Sequence, residues 1–261
     1  MTEQDHIVAT AHAMADAARA AILPHFRSKG LEADTKSDLL FDPVTVADRE
    51  AEAAMRAVLA ERRPQDAILG EEMGLTTGTS GITWVLDPID GTRAFLCGTP
   101  SWGILIAAGG PEGPEFGLID QPYIGERFEG GFGIARMTGP LGERALATRP
   151  ARPLEQALLM TTFPEVGTAE DETAFRRVAA QVRLVRYGMD CYAYALLAAG
   201  HIDLVIEAGL HPYDIQGPMA VILAAGGVVT DWTGGPAAQG GRILAAANPQ
   251  VHAAAMALLN A

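Results

Sequence analysis

Two aspartates three positions apart offer the clearest chemistry in this chain. Asp87 and Asp90 lie in Trp84-Val85-Leu86-Asp87-Pro88-Ile89-Asp90-Gly91-Thr92, where an apolar run rich in β-formers ends on carboxylates. Such a run predicts a strand emptying into a tight loop. Pro88 has no N–H to give to a ladder, so pairing is expected to stop there. Gly91 lets the backbone approach a ligand closely, and Thr92 adds a hydroxyl. Carboxylates this near each other repel unless a cation lies between them. Oxygen-only ligands suit a hard cation such as magnesium. The competing reading is a turn with solvated aspartates, and the motif alone does not choose between them.

Further carboxylates fall at the ends of other elements. Glu71 follows the short strand Ala67-Ile68-Leu69 in Gly70-Glu71-Glu72. Asp48 lies three residues after Thr45, the spacing of a capping box. The functional alternative for Asp48 is a carboxylate at a helix start that faces the metal loop. Asp214 closes Glu207-Ala208-Gly209-Leu210-His211-Pro212-Tyr213-Asp214 and opens a helix, where capping and the helix dipole both favour it. Asp48, Glu71, Asp87, Asp90 and Asp214 therefore all sit at element termini.

The elements that must carry these groups can be read in order. Ile7, Ala11, Met14, Ala18 and Ile22 recur at steps of three or four, predicting an amphipathic helix over 3–26 that Pro24 ends or disrupts. Residues 28–43 read as a polar loop or mobile hairpin holding Lys36, Asp38 and Asp42. A second helix opens at Pro43–Asp48 and runs to about Arg63. Residues 74–81 read as a flexible Gly/Thr loop. Trp102–Ala108, Phe116–Ile119, Arg127–Glu129 and Ile134–Met137 predict strands of an antiparallel sheet. Beyond residue 140, short strands at Leu158–Thr161, Leu184–Val185, Leu204–Ile206 and Val228–Thr230 alternate with helical patterns over 170–181, 190–200, 214–225 and 249–260. That alternation implies a parallel or mixed sheet. Arg149–Pro153 is the expected join between an N-terminal α+β part, 1–148, and a C-terminal α/β part, 149–261.

Composition narrows the partners. The net charge of -13 disfavours nucleic acid and anionic membranes, which need a basic face. Cys97 and Cys191 lie far apart with no CxxC, against a disulfide scaffold or zinc site. His6, His12 and His25 have no partner at ligand spacing. No basic-then-apolar leader and no apolar run of spanning length appear, so a cytoplasmic protein is expected.

The pieces Gly70-Glu71-Glu72, Asp87-Pro88-Ile89-Asp90-Gly91-Thr92 and a late Tyr213-Asp214 before an Ala/Gly-rich helix, in this order, resemble the inositol monophosphatase family of magnesium-dependent, lithium-sensitive phosphomonoesterases. Within it the chain resembles the histidinol-phosphate phosphatase branch. The matching segments are Gly98–Gly103, Asp120–Pro122, Gly125–Phe128, Asp190-Cys191-Tyr192-Ala193-Tyr194 and Glu207–Asp214. One departure is the Lys36–Pro43 segment, longer and more apolar than in general inositol phosphatases. The resemblance implies a layered αβαβα sandwich, with an antiparallel N-terminal sheet and a smaller mixed or parallel C-terminal sheet, and a homodimer. It implies that Glu71, Asp87 and the Ile89 carbonyl hold one magnesium, that Asp87, Asp90 and Asp214 hold a second, and that a third, weaker ion sits near Glu71. Catalysis would fall to Glu71, Thr92 and Asp48, with Thr92 relayed to Asp48 to orient the attacking water. Backbone N–H groups at Gly91 and Thr92 would hold phosphate oxygens at a helix start.

The substrate would then be a small phosphate monoester, bound by Asp90, Gly91, Thr92, Asp190, Glu207 and Asp214. L-Histidinol phosphate is the first expectation; inositol 1-phosphate or another small sugar or nucleotide phosphate is the alternative. Asp190 is expected to select a cationic substrate, with Glu207 as a second contact. Its rival role is an N-cap of the helix 190–200. Some relatives act as RNA- or transcription-associated factors, which the acidic charge and the lack of a Lys/Arg cluster oppose.

Overall fold

The computed structural model describes residues 2–29, 31, 33–35 and 43–261. Helix α1 (Glu3–Ile22) starts where Thr2 and Asp5 close a reciprocal capping box and ends two residues before Pro24. Strands β1 (Asp34–Thr35) and β2 (Pro43–Val44) pair antiparallel ahead of helix α2 (Val46–Arg62). Lys36, Asp38 and Asp42 lie outside the described residues. Then follow β3 (Ala67–Gly70), β4 (Gly74–Thr76), β5 (Thr83–Asp90), the short helix α3 (Thr92–Cys97), β6 (Gly103–Gly110), β7 (Gly113–Gln121), β8 (Glu126–Gly131), β9 (Ile134–Gly139) and β10 (Gly142–Ala145). The remainder comprises β11 (Leu158–Thr161), α4 (Ala169–Ala179), β12 (Leu184–Tyr187), α5 (Asp190–Ala198), β13 (Leu204–Leu210), α6 (Pro212–Ala224), β14 (Val228–Asp231), β15 (Gly241–Ala246) and α7 (Pro249–Leu259).

Eight strands form one sheet in the order β10-β9-β8-β7-β6-β5-β3-β4, antiparallel except for the parallel pair β3–β5. Five form a second, mixed sheet, β12-β11-β13-β15-β14. Helices α1 and α2 cover one face of the large sheet, α5 and α6 lie between the sheets, and α4 and α7 cover the outer face of the small one. The layers run αβαβα, as expected. Strand periodicity shows why both faces are covered. In β6, Ile104, Ile106 and Ala108 join the core under α1 and α2, whereas Leu105 joins the core around α5 and α6. In β13, Leu204 and Ile206 face α4 and α7 while Val205 faces the middle layer. Strands buried on both faces read as continuous apolar runs, which is how they stand in the sequence.

Three features position the site. Phe26, Phe95 and Trp102 form an aromatic cluster with centroids 5.0–5.3 Å apart, fastening α3 to the end of α1. Removing a ring such as Phe95 would cost roughly 3–5 kcal/mol. Arg19 and Arg127 both grip the buried Asp120, at 2.5 and 2.6 Å, and so tie α1 to β7. Gly117 lets α6 approach: a Cβ there would stand 2.3 Å from the Gly217 carbonyl oxygen.

Some sequence expectations fail. Gly74–Thr76 is strand β4, pairing at the sheet edge, although its loop-like composition hides it. Strand β5 does not stop at Pro88, because pairing with β6 resumes at Asp90. The strands β10 and β15 were not expected. Strand β15 lies between β13 and β14 and runs antiparallel to both, so the second sheet owes its mixed character to it. Among the described residues no helix is long and apolar enough to cross a membrane.

Candidate active site

Asp87 and Asp90 belong to one strand, yet residues three apart on a regular strand face opposite ways. A bulge removes the conflict. Asp87 pairs with Leu105 and Asp90 with Gly103, so three steps along β5 match two along β6. The extra residue re-aims the strand end, and both aspartates line one cavity of about 380 Å³. Asp87 Oδ1 accepts the Ile89 N–H at 3.0 Å, which fixes the loop around its own carboxylate. Gly91 then turns with φ +86°, and a Cβ there would lie 2.8 Å from Cβ and Cγ of Asp190. Only glycine meets both demands.

Asp48 and Thr92 meet across elements. The two readings of Asp48 prove compatible, because each uses a different oxygen. Oδ2 accepts the Thr45 N–H (2.8 Å) and hydroxyl (2.6 Å), closing the capping box of α2. Oδ1 accepts the Thr92 hydroxyl at 3.3 Å, a long contact that this hydroxyl shares with the Ile89 carbonyl at 3.1 Å. Asp48 stands behind Thr92, while Glu71, Asp87, Ile89, Asp90, Gly91 and Thr92 line the cavity.

The second sheet and the middle layer supply the rest of the lining. Asp190, Glu207 and Asp214 all line the same cavity. Asp190 is the first residue of α5, with φ +45°, and the helix has no side-chain cap hydrogen bond. The N-cap role is therefore excluded for Asp190. Its carboxylate instead accepts the Ser101 hydroxyl at 2.6 Å. The N-terminal amide of α5 is taken by Asp90, whose Oδ2 accepts the Cys191 N–H at 2.6 Å. Glu207 Oε1 accepts the Thr162 N–H at 2.7 Å and its hydroxyl at 3.0 Å. Asp214 accepts the His211 N–H at 2.6 Å, so it caps α6 and faces the cavity at once.

Burial dominates the electrostatics. It pushes Asp87 well above the usual carboxylate range, and the charges of Glu71, Asp90 and Asp214 push it further. Asp90 is raised well above normal by burial and then by Asp214 and Asp190. Asp48 and Asp190 are raised mainly by burial. Burial also lifts Glu207 to about 7. Oxygens of Asp87, Asp90 and Asp214 all lie within 4.8 Å of one another. This arrangement fits a hard dication: the donors are all oxygen, and a cation would cancel the repulsion that otherwise opposes their ionisation.

Several lining residues were given no site role from sequence: Arg93, Thr162, Phe163, Tyr194, His211 and Tyr213. The Arg93 guanidinium stands 5.0 Å over the Phe163 ring, joining the two walls at the cavity. Tyr194 had a legible signal, because it lies four residues after Asp190 on one helix and hence on the same face. Ser101, by contrast, approaches Asp190 only through tertiary packing.

Known proteins are similar to this chain in sequence and fold. The Inositol monophosphatase family profile matches residues 3–261. The chain is 46% identical over 235 residues to the bifunctional phosphatase IMPL2, chloroplastic, of Arabidopsis thaliana, an alignment covering 89% of this chain and 66% of that protein. It is 32% identical over 262 residues to a histidinol-phosphatase of Streptomyces coelicolor, covering 96% and 95%. Its fold superposes with TM-score 0.88 on an inositol monophosphatase from Zymomonas mobilis, at 38% identity and full coverage of both chains. With its layered fold, its ordered carboxylate motifs and a match along nearly its whole length, the chain belongs to the inositol monophosphatase family of magnesium-dependent phosphatases.

Proposed function

We propose that the chain hydrolyses L-histidinol phosphate to L-histidinol and phosphate, a step of histidine biosynthesis. The observation that carries this reading is the pair Asp190 and Glu207. These two carboxylates line the cavity beside, rather than within, the Asp87–Asp90–Asp214 cluster. They are matched to a leaving group that bears a cationic amine. Similarity to the Streptomyces histidinol-phosphatase supports the same choice.

Glu71, Asp87 and the Ile89 carbonyl would hold one magnesium, and Asp87, Asp90 and Asp214 a second, with a third, weaker ion near Glu71. When bound, magnesium acidifies a water and neutralises charge on the phosphate and departing oxygen. The chain itself supplies orientation. Thr92, with its hydroxyl toward Asp48, and Glu71 orient the attacking water. The N–H groups of Gly91 and Thr92 hold phosphate oxygens. Asp190 and Glu207 hold the amine, and Asp90 and Asp214 border the leaving group. The active form is a homodimer in this reading, which sedimentation checks.

A second reading, hydrolysis of inositol 1-phosphate or another small sugar or nucleotide phosphate, is favoured by the likeness to the Zymomonas mobilis enzyme. Phosphate release from histidinol phosphate, inositol 1-phosphate and an adenosine 3′,5′-bisphosphate tests both, with and without EDTA. The expected result is fastest release from histidinol phosphate, lost on chelation and restored by magnesium. Faster release from inositol 1-phosphate would move the assignment to the second reading, and release that survives chelation would remove magnesium from it.

A further inference from the structure

Tyr194 poses a problem that the site as described does not solve. It is 4% exposed, and its hydroxyl finds no hydrogen-bond partner among the described residues. Buried hydroxyls are normally paired, because an unmade hydrogen bond there is costly. The residue lines the cavity with Asp190 and Glu207. Burial, then the charges of Glu207, Asp90 and Asp214, hold the phenol protonated. A protonated phenol still carries lone pairs to accept with.

Two carboxylates that line the same cavity each accept from a neutral hydrogen-bond donor. Asp190 is held by a left-handed backbone, by Ser101 on Oδ2 and by the face of Gly91. Glu207 is held through Oε1 by Thr162. A primary ammonium carries three N–H donors, and two carboxylates leave one of them to be placed. We propose that the Tyr194 hydroxyl accepts the third N–H of a substrate ammonium, completing with Asp190 and Glu207 a cradle that makes Tyr194 a specificity-determining residue. This rests on the reading of a cationic leaving group given above. A neutral sugar phosphate would give the hydroxyl no charged partner.

Tyr194→Phe removes the oxygen and keeps the ring. Because the hydroxyl has no partner among the described residues, folding should be spared, and the melting temperature should hold or rise. Parent and variant are compared on histidinol phosphate and on its desamino analogue. The expected result is a roughly tenfold or greater fall in kcat/KM on the amine ester, carried mainly by KM, with the desamino ester within about twofold. If the parent prefers the amine ester and the variant keeps that preference, Tyr194 has no such role although the reading of the substrate stands. An equal loss on both esters likewise overturns the cradle, as it would mark damage to the phosphate end. A parent with no preference for the amine overturns both the cradle and the reading beneath it.

Discussion

On one wall of the cavity Asp87, Asp90 and Asp214 crowd within 4.8 Å, while on the other Asp190 and Glu207 are each held by neutral donors from Ser101 and Thr162. The first wall is self-repelling: besides burial, neighbouring carboxylates raise the cost of ionising Asp87 and Asp90. It becomes stable as a set only with a shared cation. The second wall is built one group at a time, with local hydrogen bonds offsetting part of the burial. Charge crowding thus suits a site for metal and phosphate, which any ester of the class presents. Individually anchored acceptors suit recognition of one particular leaving group.

Substitutions can break that contrast. Asp90→Asn should be the most severe, lowering turnover at least about a thousandfold on every ester, a loss of roughly 4 kcal/mol in transition-state stabilisation. Asparagine keeps an acceptor for the Cys191 N–H, so the metal-free melting temperature should not fall. Turnover within about threefold of the parent at saturating magnesium would remove Asp90 from the metal wall.

Thr92→Ala should cost about a hundredfold in kcat with little change in KM, because its hydroxyl is assigned to the attacking water. Pre-steady-state and steady-state rates separate the two quantities. A pure KM effect would leave Thr92 as the first residue of α3 and no more.

Asp190→Asn should sharpen the comparison, since it touches one wall only. The amine ester should lose roughly 10- to 150-fold in kcat/KM, the worth of a charged hydrogen bond. Inositol 1-phosphate or glycerol 2-phosphate should change little. Uniform loss on all esters would make the second wall part of the first.

The smallest effect concerns stability. Glu207 titrates near 7 in the folded protein against 4.5 when exposed, because burial disfavours its charge. A raised carboxyl pKa penalises folding progressively as pH climbs through that window, and the penalty is complete above about 7. Glu207→Gln should therefore gain on the parent between pH 4.5 and 7, by up to about 3 kcal/mol in metal-free denaturant unfolding. A pH-independent gap between the two proteins would show that Glu207 is ionised at no such cost.

Much of this was legible from residue order. The apolar patterns gave an antiparallel sheet followed by a mixed one, the resemblance implied the αβαβα layering, and the cavity gathers Glu71, Asp87, Asp90, Asp190, Glu207 and Asp214 as the motifs implied. Local rules misled where one residue has two duties. The Thr45–Asp48 spacing indicated a cap and the structure contains it, but the second oxygen of Asp48 points to Thr92, forty-four residues on. Asp190 looked like a cap because aspartate at a helix start usually is one, whereas Asp90 takes that amide from another sheet. Strand β15 escaped notice because Gly241 and Arg242 interrupt its apolar pattern at an exposed end.

What the sequence by itself determined was the chemistry available: oxygen donors at element ends, a net charge of -13 that needs cations beside a phosphate, and caps and turns set by nearest neighbours. Those follow from interactions within a few residues, which spacing encodes directly. Only the tertiary structure decided which way the groups face and what holds them. The bulge that turns Asp87 and Asp90 to one side depends on pairing with β6, the anchor of Asp190 comes from Ser101, and the Tyr194 hydroxyl, unpaired among the described residues, is buried only because two sheets close over α5. Such contacts join residues tens of positions apart, and burial, which raises Asp87, Asp90, Asp190 and Glu207, is a property of the packed layers and of no local stretch.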